Sequence, residues 1–549
     1  MRKKRKNALL LLFFVIISFL EIIFIYIAND HQLPMGQDSE FHMARVLGLS
    51  NVFQSPVNFN AFGHQGNIMN IMYPWQTLYP AYLLYRITGN FTASMYIFYY
   101  LLTLATLFIS FYTMNAIRRE YFSSIIFALV YTFSSYRLTN LVFRSALGEY
   151  VAMTFLPLVL LGCYKILCDD YEKYYILSIG MCLIAWSHLL SVAMSTVFIA
   201  IGTICFLIIG RDKIHWKARI LALVKAALLT LMLCAGVLVP IVCQLRYQEL
   251  YFPPTFPFAP LKMKELLANA VLSKLSTFTV GSIILAGIIL VIFLIKKINR
   301  FEKVLYFLGV IMFISTSTII PWSKLNNTPI STIQFIFRLN SYITLFIAYP
   351  FAVALANSLK NQKLMSTTVI SLLVLIISGS SVVRMYKEQD TPINVKHYTN
   401  KDVVNVGYSF MHYDYTNIKT KENFDLLRDR PYFKSRKRVS IKEEIDENKI
   451  SFVVNNNSIN TCDMITPILR FKGQVCYING KKANTQNSKY GTVKINVPAG
   501  ISKITVTYNY SLVDRLTQLL SILSCCLLLY RIISDKYQEK RRLLPLRPK

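Results

Sequence analysis

Long apolar runs, separated by short polar segments, make up most of the chain. A run of about 20 apolar residues is long enough to cross the ~30 Å hydrocarbon core of a bilayer as a helix. The pattern predicts about twelve such spans, and the expected fold is a mainly α, polytopic membrane protein. The predicted spans are residues 8–28, 91–113, 121–140, 147–168, 174–190, 192–210, 219–243, 278–295, 304–320, 335–356, 364–383 and 516–533.

Basic residues cluster in the short loops on one side of these spans. They occur at residues 2–6, 118–119, 211–219, 296–303 and in the tail after residue 535. Cytoplasmic loops carry an excess of Lys and Arg, so we expect both termini in the cytoplasm of a bacterial cell. The first apolar run is too long for a removable signal peptide and lacks a small-residue cleavage site. It is therefore predicted to be an uncleaved first span.

The overall composition supports a membrane protein. The 549 residues are 54% hydrophobic and 16% charged, whereas soluble domains contain about 25% charged residues. These values exclude a soluble enzyme, a disordered regulator and a disulfide-rich secreted domain. The formal net charge of +31 would suggest nucleic acid in a soluble protein. Here the charge belongs to the short loops, so we expect membrane lipid, and no nucleic acid, as a partner.

Most of the remaining polar residues are predicted to lie outside the cell, in segments 29–90, 244–277 and 384–515. The chain is therefore divided into a transmembrane domain, a polar module and a C-terminal part. The transmembrane domain is 1–383, the extracytoplasmic α/β-sandwich module is 384–515, and the final helix with its basic tail is 516–549.

The module shows β signals near its end. Apolar and polar residues alternate at 450–454, 475–481, 492–497 and 501–508, with a hairpin turn at Asn479 and Gly480. This pattern predicts a small antiparallel sandwich. Cys462 and Cys476 lie on neighbouring predicted strands, and the spacing leaves open whether they form a disulfide.

The first outside segment carries the strongest candidate chemistry. Residues 39 to about 54 follow a helical pattern, and Asp38, His42 and Arg45 share one stripe of that helix. One interpretation is that Asp38 only caps the helix N-terminus. The other is that its carboxylate accepts a proton from a substrate hydroxyl while Arg45 binds a phosphate. Asp38 and Glu40 would also suit a single divalent cation.

Two further arginines, Arg144 and Arg338, are predicted at outer ends of spans. An ionisable group next to hydrocarbon is costly and usually faces a polar cavity. A lipid phosphate would be a suitable partner for both. The alternatives are a side chain that extends to the headgroup level, or a pair between Arg144 and Glu149.

Several short motifs resemble a known group of membrane proteins. Gly36-x-Asp38-x-x-Phe41-His42-x-x-Arg45, directly after a first span, resembles the opening of the YfhO-like bacterial membrane proteins and of their relatives labelled "pyruvoyl-tetrahydropterin-synthase-related". Both resemble the GT-C class of polyprenyl-phosphate-sugar-dependent glycosyltransferases. The other matching motifs are Tyr73-Pro-Trp75, Arg144-x-x-x-Gly148-Glu149, Ser187-His188, Gln334-Phe335-x-Phe337-Arg338 and Pro467-x-x-x-Phe471-x-Gly473. Ile336 stands where the family usually has proline, and seven scattered histidines do not suggest a zinc enzyme.

The resemblance implies a membrane glycosyltransferase that moves a sugar from a polyprenyl-phosphate carrier to a cell-envelope glycan at the outer leaflet. Asp38 would be the catalytic carboxylate, with Glu40 and His42 as further catalytic candidates, and Arg45, Arg144 and Arg338 would bind phosphate. The supporting residues would be Tyr73, Trp75, Glu149, His188 and Gln334. No cofactor is certain, and a divalent cation on Asp38 and Glu40 is left open. A transporter or lipid flippase, or a non-catalytic scaffold for envelope assembly, is the alternative.

Overall fold

The computed structural model describes residues 2–209, 215–388 and 399–542. Part of the predicted cytoplasmic loop at 211–219, the first residues of the polar module after 388, and the end of the basic tail lie outside the described residues. The helices and strands appear in the order that the hydropathy pattern predicts, with helices first, strands near the end and one last helix.

The α-helices are α1 (Arg2–Ala28), α2 (Ser39–Leu47), α3 (Met69–Met72), α4 (Tyr79–Thr88), α5 (Phe91–Arg118), α6 (Tyr121–Thr132), α7 (Ser135–Leu138), α8 (Leu147–Cys168), α9 (Tyr175–Ala185), α10 (Leu189–Ile209), α11 (Trp216–Leu233), α12 (Ala235–Tyr247), α13 (Met263–Leu272), α14 (Gly281–Phe293), α15 (Arg300–Ser315), α16 (Asn340–Ser358), α17 (Lys363–Lys387), α18 (Asn400–Ser409), α19 (Ile418–Glu422), α20 (Phe424–Arg428) and α21 (Leu512–Arg542). The strands are β1 (Tyr432–Lys434), β2 (Lys437–Val439), β3 (Glu443–Ile445), β4 (Lys449–Asn456), β5 (Cys462–Leu469), β6 (Gln474–Ile478), β7 (Lys481–Ala483), β8 (Thr485–Asn487), β9 (Thr492–Val497) and β10 (Gly500–Tyr508).

Among the described residues, seven helices are long and apolar enough to cross a membrane. The number rises to nine when two bent pairs each count as one span. These pairs are α6 with the α7 region, bent by 42°, and α11 with α12, bent by 72°. The other three predicted spans correspond to α9, α14 and α15, which have 11, 13 and 16 residues. The count of twelve therefore stays a prediction.

The centre of the helical bundle is α16, which is almost entirely buried. Helices α14 and α15 approach it closely because Gly287 and Gly309 face Ile347. A Cβ atom at either glycine would come within 2.9 Å of the Ile347 side chain, and small residues allow helices to pack at short distances in membranes. Helices α1, α17 and α21 instead expose many apolar side chains, as expected for surfaces in contact with lipid.

The polar module contains two five-stranded antiparallel sheets, with strand orders β2-β1-β5-β9-β8 and β3-β4-β10-β6-β7. The predicted hairpin joins β6 to β7, and Asn479 and Gly480 both adopt the positive φ values of such a turn. The inward-facing residues of both sheets belong to one hydrophobic cluster. Cys462 and Cys476 lie in different sheets, and both are free.

The module packs on the first long segment of the transmembrane domain. Val57, Phe59 and Ile68 belong to the same hydrophobic cluster as the two sheets. The Asn51 side chain donates hydrogen bonds to the Glu447 carbonyl (2.8 Å), and the backbone N–H of Phe59 donates to the same carbonyl (3.0 Å). The segment that carries Asp38 is therefore held between the helical bundle and the sheets.

Candidate functional site

The segment before α2 lies against the turn that precedes α8. The backbone N–H of Gly36 donates to Ser145 Oγ at 3.0 Å, and that of Asp38 donates to the Arg144 carbonyl at 2.8 Å. A side chain at Gly36 would come within 2.5 Å of the Phe143 carbonyl oxygen, so this close approach requires glycine. These contacts fix Asp38 next to Arg144.

Asp38 precedes the first turn of α2, but its carboxylate accepts no hydrogen bond from the helix N-terminus. The capping interpretation is therefore not supported. The side chain is half-buried, and no hydrogen bond or ion pair joins its carboxylate to any described residue. Burial raises the pKa of Asp38 above its ordinary value, and the positive charges of Arg144 and Arg338 oppose this rise. The site thus contains an unpaired carboxylate near two positive charges.

Helix α2 is shorter than the sequence pattern predicts. The prediction extended to about residue 54, but the helix ends at Leu47 and residues 48–54 form turns. Gly48 is a weak helix former, and its backbone N–H closes the last turn on the Ala44 carbonyl. Asp38, His42 and Arg45 nevertheless lie within the helix or at its first turn.

Glu149, near the start of α8, connects four other side chains. Its Oε2 accepts a hydrogen bond from Arg144 Nη1 at 2.7 Å and lies 3.5 Å from Arg338 Nε. Its Oε1 accepts hydrogen bonds from the hydroxyls of Tyr136 (2.7 Å) and Ser341 (3.1 Å). The side chains of Glu149 and Arg144 are only 4% exposed. The pairing of Arg144 with Glu149 is therefore present, and it also includes Arg338.

Both arginines keep donors that the protein does not use. Arg144 Nη1 also donates to Asn140 Oδ1 at 2.6 Å, and Arg338 Nη1 donates to the Ile333 carbonyl (3.0 Å) and to Gln334 Oε1 (2.6 Å). The Nη2 group of neither arginine makes a hydrogen bond with another described residue. Since two guanidinium groups share the Glu149 carboxylate, one positive charge remains beside the Asp38 carboxylate.

The position of Arg45 does not match the phosphate-binding role that the sequence motifs predict for it. Its guanidinium is fully buried, and Nη2 donates to the carbonyls of Tyr73 (3.1 Å) and Pro74. The group also stacks on the Tyr73 ring, 4.0 Å from its centroid. Burial lowers the pKa of Arg45 to about 10. These contacts fasten residues 73–74 to α2 and leave the guanidinium no access to a ligand phosphate.

His42 links α2 to α8. Its Nε2 accepts the backbone N–H of Leu147 at 3.1 Å, and its Nδ1 lies 3.3 Å from Arg45 Nη1. Burial lowers the pKa of His42 well below its ordinary value, and the charge of Arg45 lowers it further. A neutral imidazole that accepts at Nε2 carries its proton on Nδ1, so the ring links α2 to the start of α8 through Leu147 and has no nitrogen left to accept a substrate proton.

Tyr73, His188 and Gln334 lie around this cluster. The Tyr73 hydroxyl packs against Gly148, where a side chain would overlap it. The His188 ring is 5.7 Å from the Tyr73 ring, and its Nδ1 is hydrogen bonded to Ser191 Oγ at 2.8 Å. Gln334 Oε1 accepts the hydrogen bond from Arg338 described above, and its side-chain N–H group contacts the segment 244–277.

Trp75 and Glu40 do not join the cluster. Trp75 packs against Phe53 and Tyr79, with 5.5 Å and 5.7 Å between ring centroids. It lines a separate cavity of about 250 Å³ near the start of α21. Glu40 is half-buried and makes no hydrogen bond or ion pair within the described residues.

A divalent cation does not fit this donor set. Among the described residues, no group of three or more His, Cys, Asp or Glu side chains lies close enough to hold a metal ion. Cation sites need several oxygen ligands, and the positive charges of Arg144 and Arg338, which act on Asp38, would repel a cation. We therefore assign no step to a metal.

Comparisons with known proteins give a limited result. No family model matches the sequence, and no curated protein matches it. Among solved structures, arabinofuranosyltransferase AftD from Mycobacteria is similar with 14% sequence identity and a TM-score of 0.42. The match covers 67% of this chain and 26% of AftD, so the chain spans about a quarter of that protein. At this identity and score, the likeness assigns neither a family nor an activity.

Sequence reasoning missed several residues of the site. Tyr136 and Ser341 bind Glu149 but lie in apolar runs, and nothing in their spacing distinguishes them from other hydroxyls. Asp414 and Tyr415 belong to the predicted module. Burial raises the pKa of the Tyr415 hydroxyl to about 12, and the positive charges of Arg45 and Arg338 oppose this rise. Tyr415 therefore lies near both arginines. A clue was available in the dense aromatic run at 408–415.

Proposed function

We propose that the protein is a membrane glycosyltransferase of the GT-C type. It moves a sugar from a polyprenyl-phosphate carrier to a cell-envelope glycan at the outer leaflet of a bacterial cell membrane. Both termini are in the cytoplasm, and segments 29–90, 244–277 and 384–515 are outside. The observation that carries the proposal is an unpaired carboxylate, Asp38, beside two buried guanidinium groups that have donors to spare.

In the proposed reaction, the acceptor hydroxyl attacks the anomeric carbon of the donor sugar while Asp38 takes the hydroxyl proton. The new bond forms between the acceptor oxygen and the anomeric carbon. The bond from that carbon to the phosphate oxygen breaks, and polyprenyl phosphate leaves with the electron pair. Arg144 and Arg338 stabilise the negative charge that grows on the leaving phosphate.

Other residues of the cluster act through their neighbours. Glu149 holds the two arginines at a fixed distance, and Tyr136 and Ser341 hold Glu149. His42 joins α2 to the start of α8, and Arg45 joins α2 to residues 73–74. They are positioning residues in this proposal, because Arg45 Nη2 and His42 Nε2 are already hydrogen bonded within the protein and the unpaired Arg45 Nε is buried. Glu40 remains a second acidic candidate, without a partner that indicates a role.

A groove in the bundle supports a donor with a long apolar chain. It has a volume of about 450 Å³, and its walls are mainly apolar side chains of α8, α10, α15 and α16. One of its lining residues, Tyr342, follows Ser341, which binds Glu149. An apolar chain in this groove would be removed from water and would have its phosphate end near the arginines.

The test is the glycan composition of the cell envelope, in cells that carry the wild-type protein, no protein, or Asp38→Asn. The substitution removes the proton acceptor at nearly constant volume, and we expect glycan transfer to fall by roughly a hundredfold or more. Asp425→Asn is the matched control, because that side chain is 96% exposed. Full transfer by Asp38→Asn at normal protein amounts would reject the catalytic assignment.

Two results would favour other functions. Counterflow of a labelled lipid or sugar in proteoliposomes, undiminished by Asp38→Asn, would indicate a transporter or flippase. Loss of envelope glycan only when residues 399–511 are altered, and not with Asp38→Asn or Glu40→Gln, would indicate a scaffold.

A further inference from the structure

A series of aromatic rings leads from the candidate site to the segment 244–277. We call Tyr73, Phe41, His412, Tyr413 and Tyr251 the aromatic track. Successive ring centroids are 5.7, 6.0, 5.4 and 5.5 Å apart. At its inner end, the Tyr73 hydroxyl packs beside the start of α8. All five residues are half-buried.

Polar atoms without partners accompany the rings. Asp414 Oδ1 and Asn67 Oδ1 are buried, and neither accepts a hydrogen bond within the described residues. Asn67 is only 3% exposed, and its Nδ2 donates to the His412 carbonyl at 3.3 Å. Asp414 Oδ2 lies 3.4 Å from His412 Nδ1. Buried acceptors without a donor are costly, so they favour a ligand that brings hydroxyl groups.

The outer part of the track is rigidly built. The backbone N–H of Tyr251 donates to the Thr416 carbonyl, and that of Tyr415 donates to the Tyr251 carbonyl, both at 2.7 Å. Leu250 and Asn417 form an isolated β-bridge. The segment 244–277 and the aromatic run of the module therefore form one wall, and its rings are held in place before any ligand binds.

Rings that alternate with a few fixed polar acceptors suit a carbohydrate. A sugar ring has apolar C–H faces that stack on aromatic side chains, while its edges carry hydroxyl donors. An acyl or prenyl chain could cover the rings, but it would leave Asp414 and Asn67 unpaired. Binding sites of this kind combine an aromatic lining with a small number of polar groups that fix orientation.

We propose that the aromatic track is the acceptor subsite and binds the envelope glycan through its terminal sugars, with the end of the glycan directed to Asp38. This inference rests on the proposed function. It assigns acceptor recognition to Tyr413, Tyr251 and Asp414, which lie on the module and on the segment 244–277. The two arginines lie on the bundle, Arg144 just before α8 and Arg338 just before α16.

Sugar binding can be measured without transfer. Full-length protein in nanodiscs is mixed with a panel of methyl glycosides of common furanoses and pyranoses, and saturation-transfer NMR reports which sugar protons contact the protein. We expect at least one glycoside to bind the wild type, and Tyr413→Ala and Asp414→Asn to weaken it by roughly fivefold or more. Tyr413→Phe should retain binding, because it keeps the ring.

Matched controls separate binding from folding. Tyr490→Ala removes a ring that packs against Phe433 and is not one of the five rings of the track, and it should bind the glycoside normally. Thermal unfolding of each variant shows whether it is folded. Equal binding by the wild type, Tyr413→Ala and Asp414→Asn would overturn the proposal, and so would no binding of any glycoside to the wild type.

Asp38→Asn distinguishes this inference from the function on which it rests. We expect this variant to bind the glycoside and to lack transfer. Binding together with normal envelope glycan would reject the catalytic assignment and keep the sugar subsite. Loss of envelope glycan without any glycoside binding to the wild type would keep the enzyme and reject the subsite.

Discussion

Asp38 experiences two opposing electrostatic effects. Burial raises its pKa, because the charged form loses hydration, while Arg144 and Arg338 lower it by attraction. A general base must be ionised to accept a proton, so activity should rise with pH through the pKa of this carboxyl. In the proposed reaction, the two arginines would therefore act on more than the leaving phosphate, because they also keep Asp38 ionised at lower pH.

Removal of one positive charge should move the pH profile. In Arg338→Gln, the pKa of Asp38 rises further, and we expect the acid side of the rate profile to shift up by roughly one pH unit. The rate is measured as release of lipid phosphate from a short polyprenyl-phosphate sugar. Arg338→Lys keeps the charge and should keep the midpoint. The control Arg438→Gln changes a side chain that is 56% exposed, and an identical shift there would exclude this explanation.

Asp414 provides a pH prediction for stability. Burial raises its pKa from 3.8 to about 7, so the folded protein holds a proton that the unfolded chain releases above pH 4. Stability from this group is therefore highest below pH 4, falls as pH rises to 7, and is constant above that. Asp414→Asn resembles the neutral form and should be more stable than the wild type at pH 8, by at least ~1 kcal/mol. Thermal unfolding at pH 4 and pH 8 measures this, and an equal difference at both values would contradict it.

The sequence motifs contain Asp38, Arg144, Glu149 and Arg338, and these four residues lie near one another in the structure. Their roles stay predictions. The burial of Arg45 could not be predicted, because its partners are backbone carbonyls, which every residue has. Asp414 lies close to the candidate site because of how the module packs on the rest of the chain, and no local sequence pattern predicts that packing.

At the level of elements, the start of α8 determines the geometry of the site. Gly148 allows the Tyr73 hydroxyl to approach the helix, and Leu147 binds His42. We expect Gly148→Ala to displace Tyr73, to lower transfer and to destabilise the protein by about 1–3 kcal/mol. Gly379→Ala is the matched helical control, because its added Cβ makes only ordinary contacts, at 3.6 Å and more from the Phe24 side chain. Envelope glycan and thermal stability are measured for both variants. Unchanged transfer in Gly148→Ala would show that this approach is not needed.

Two predicted spans are bent, and hydropathy could not indicate this. Residues 121–140 and 219–243 are predicted as continuous spans, yet in the structure each region consists of two helices with a bend between them. The first break allows the short α7 to present Tyr136 to Glu149, and a π-helix at 139–143 leads to Arg144. Apolar side chains continue across both breaks, so the average hydropathy stays high. Broken helices of this kind are tolerated in membranes where they line a cavity.

For the whole molecule, the division into a membrane domain and a polar module stays a prediction, and the hydrophobic core of the sheets includes residues of the first long segment. Phe59, from the first long segment, is fully buried and lies 5.9 Å from the Tyr508 ring of β10. Arg430 donates to the Gly63 carbonyl at 3.0 Å and pairs with Glu443. A composition shift marks where a polar segment begins, but it does not reveal which surface the segment will cover.

Because the core is shared, we expect a substitution of a buried residue in the first segment to destabilise the sheets. Phe59→Ala removes a fully buried ring, and such substitutions lower the free energy of unfolding by about 3–5 kcal/mol. We therefore expect residues 432–508 to become sensitive to protease, although the substitution lies outside them. Phe53→Ala is the control from the same segment, because that ring is 60% exposed. Limited proteolysis with mass spectrometry measures cleavage in the sheets. A module that resists protease equally in Phe59→Ala and wild type would be stable without the first segment, and Asp38 would then depend on the helical bundle alone for its position.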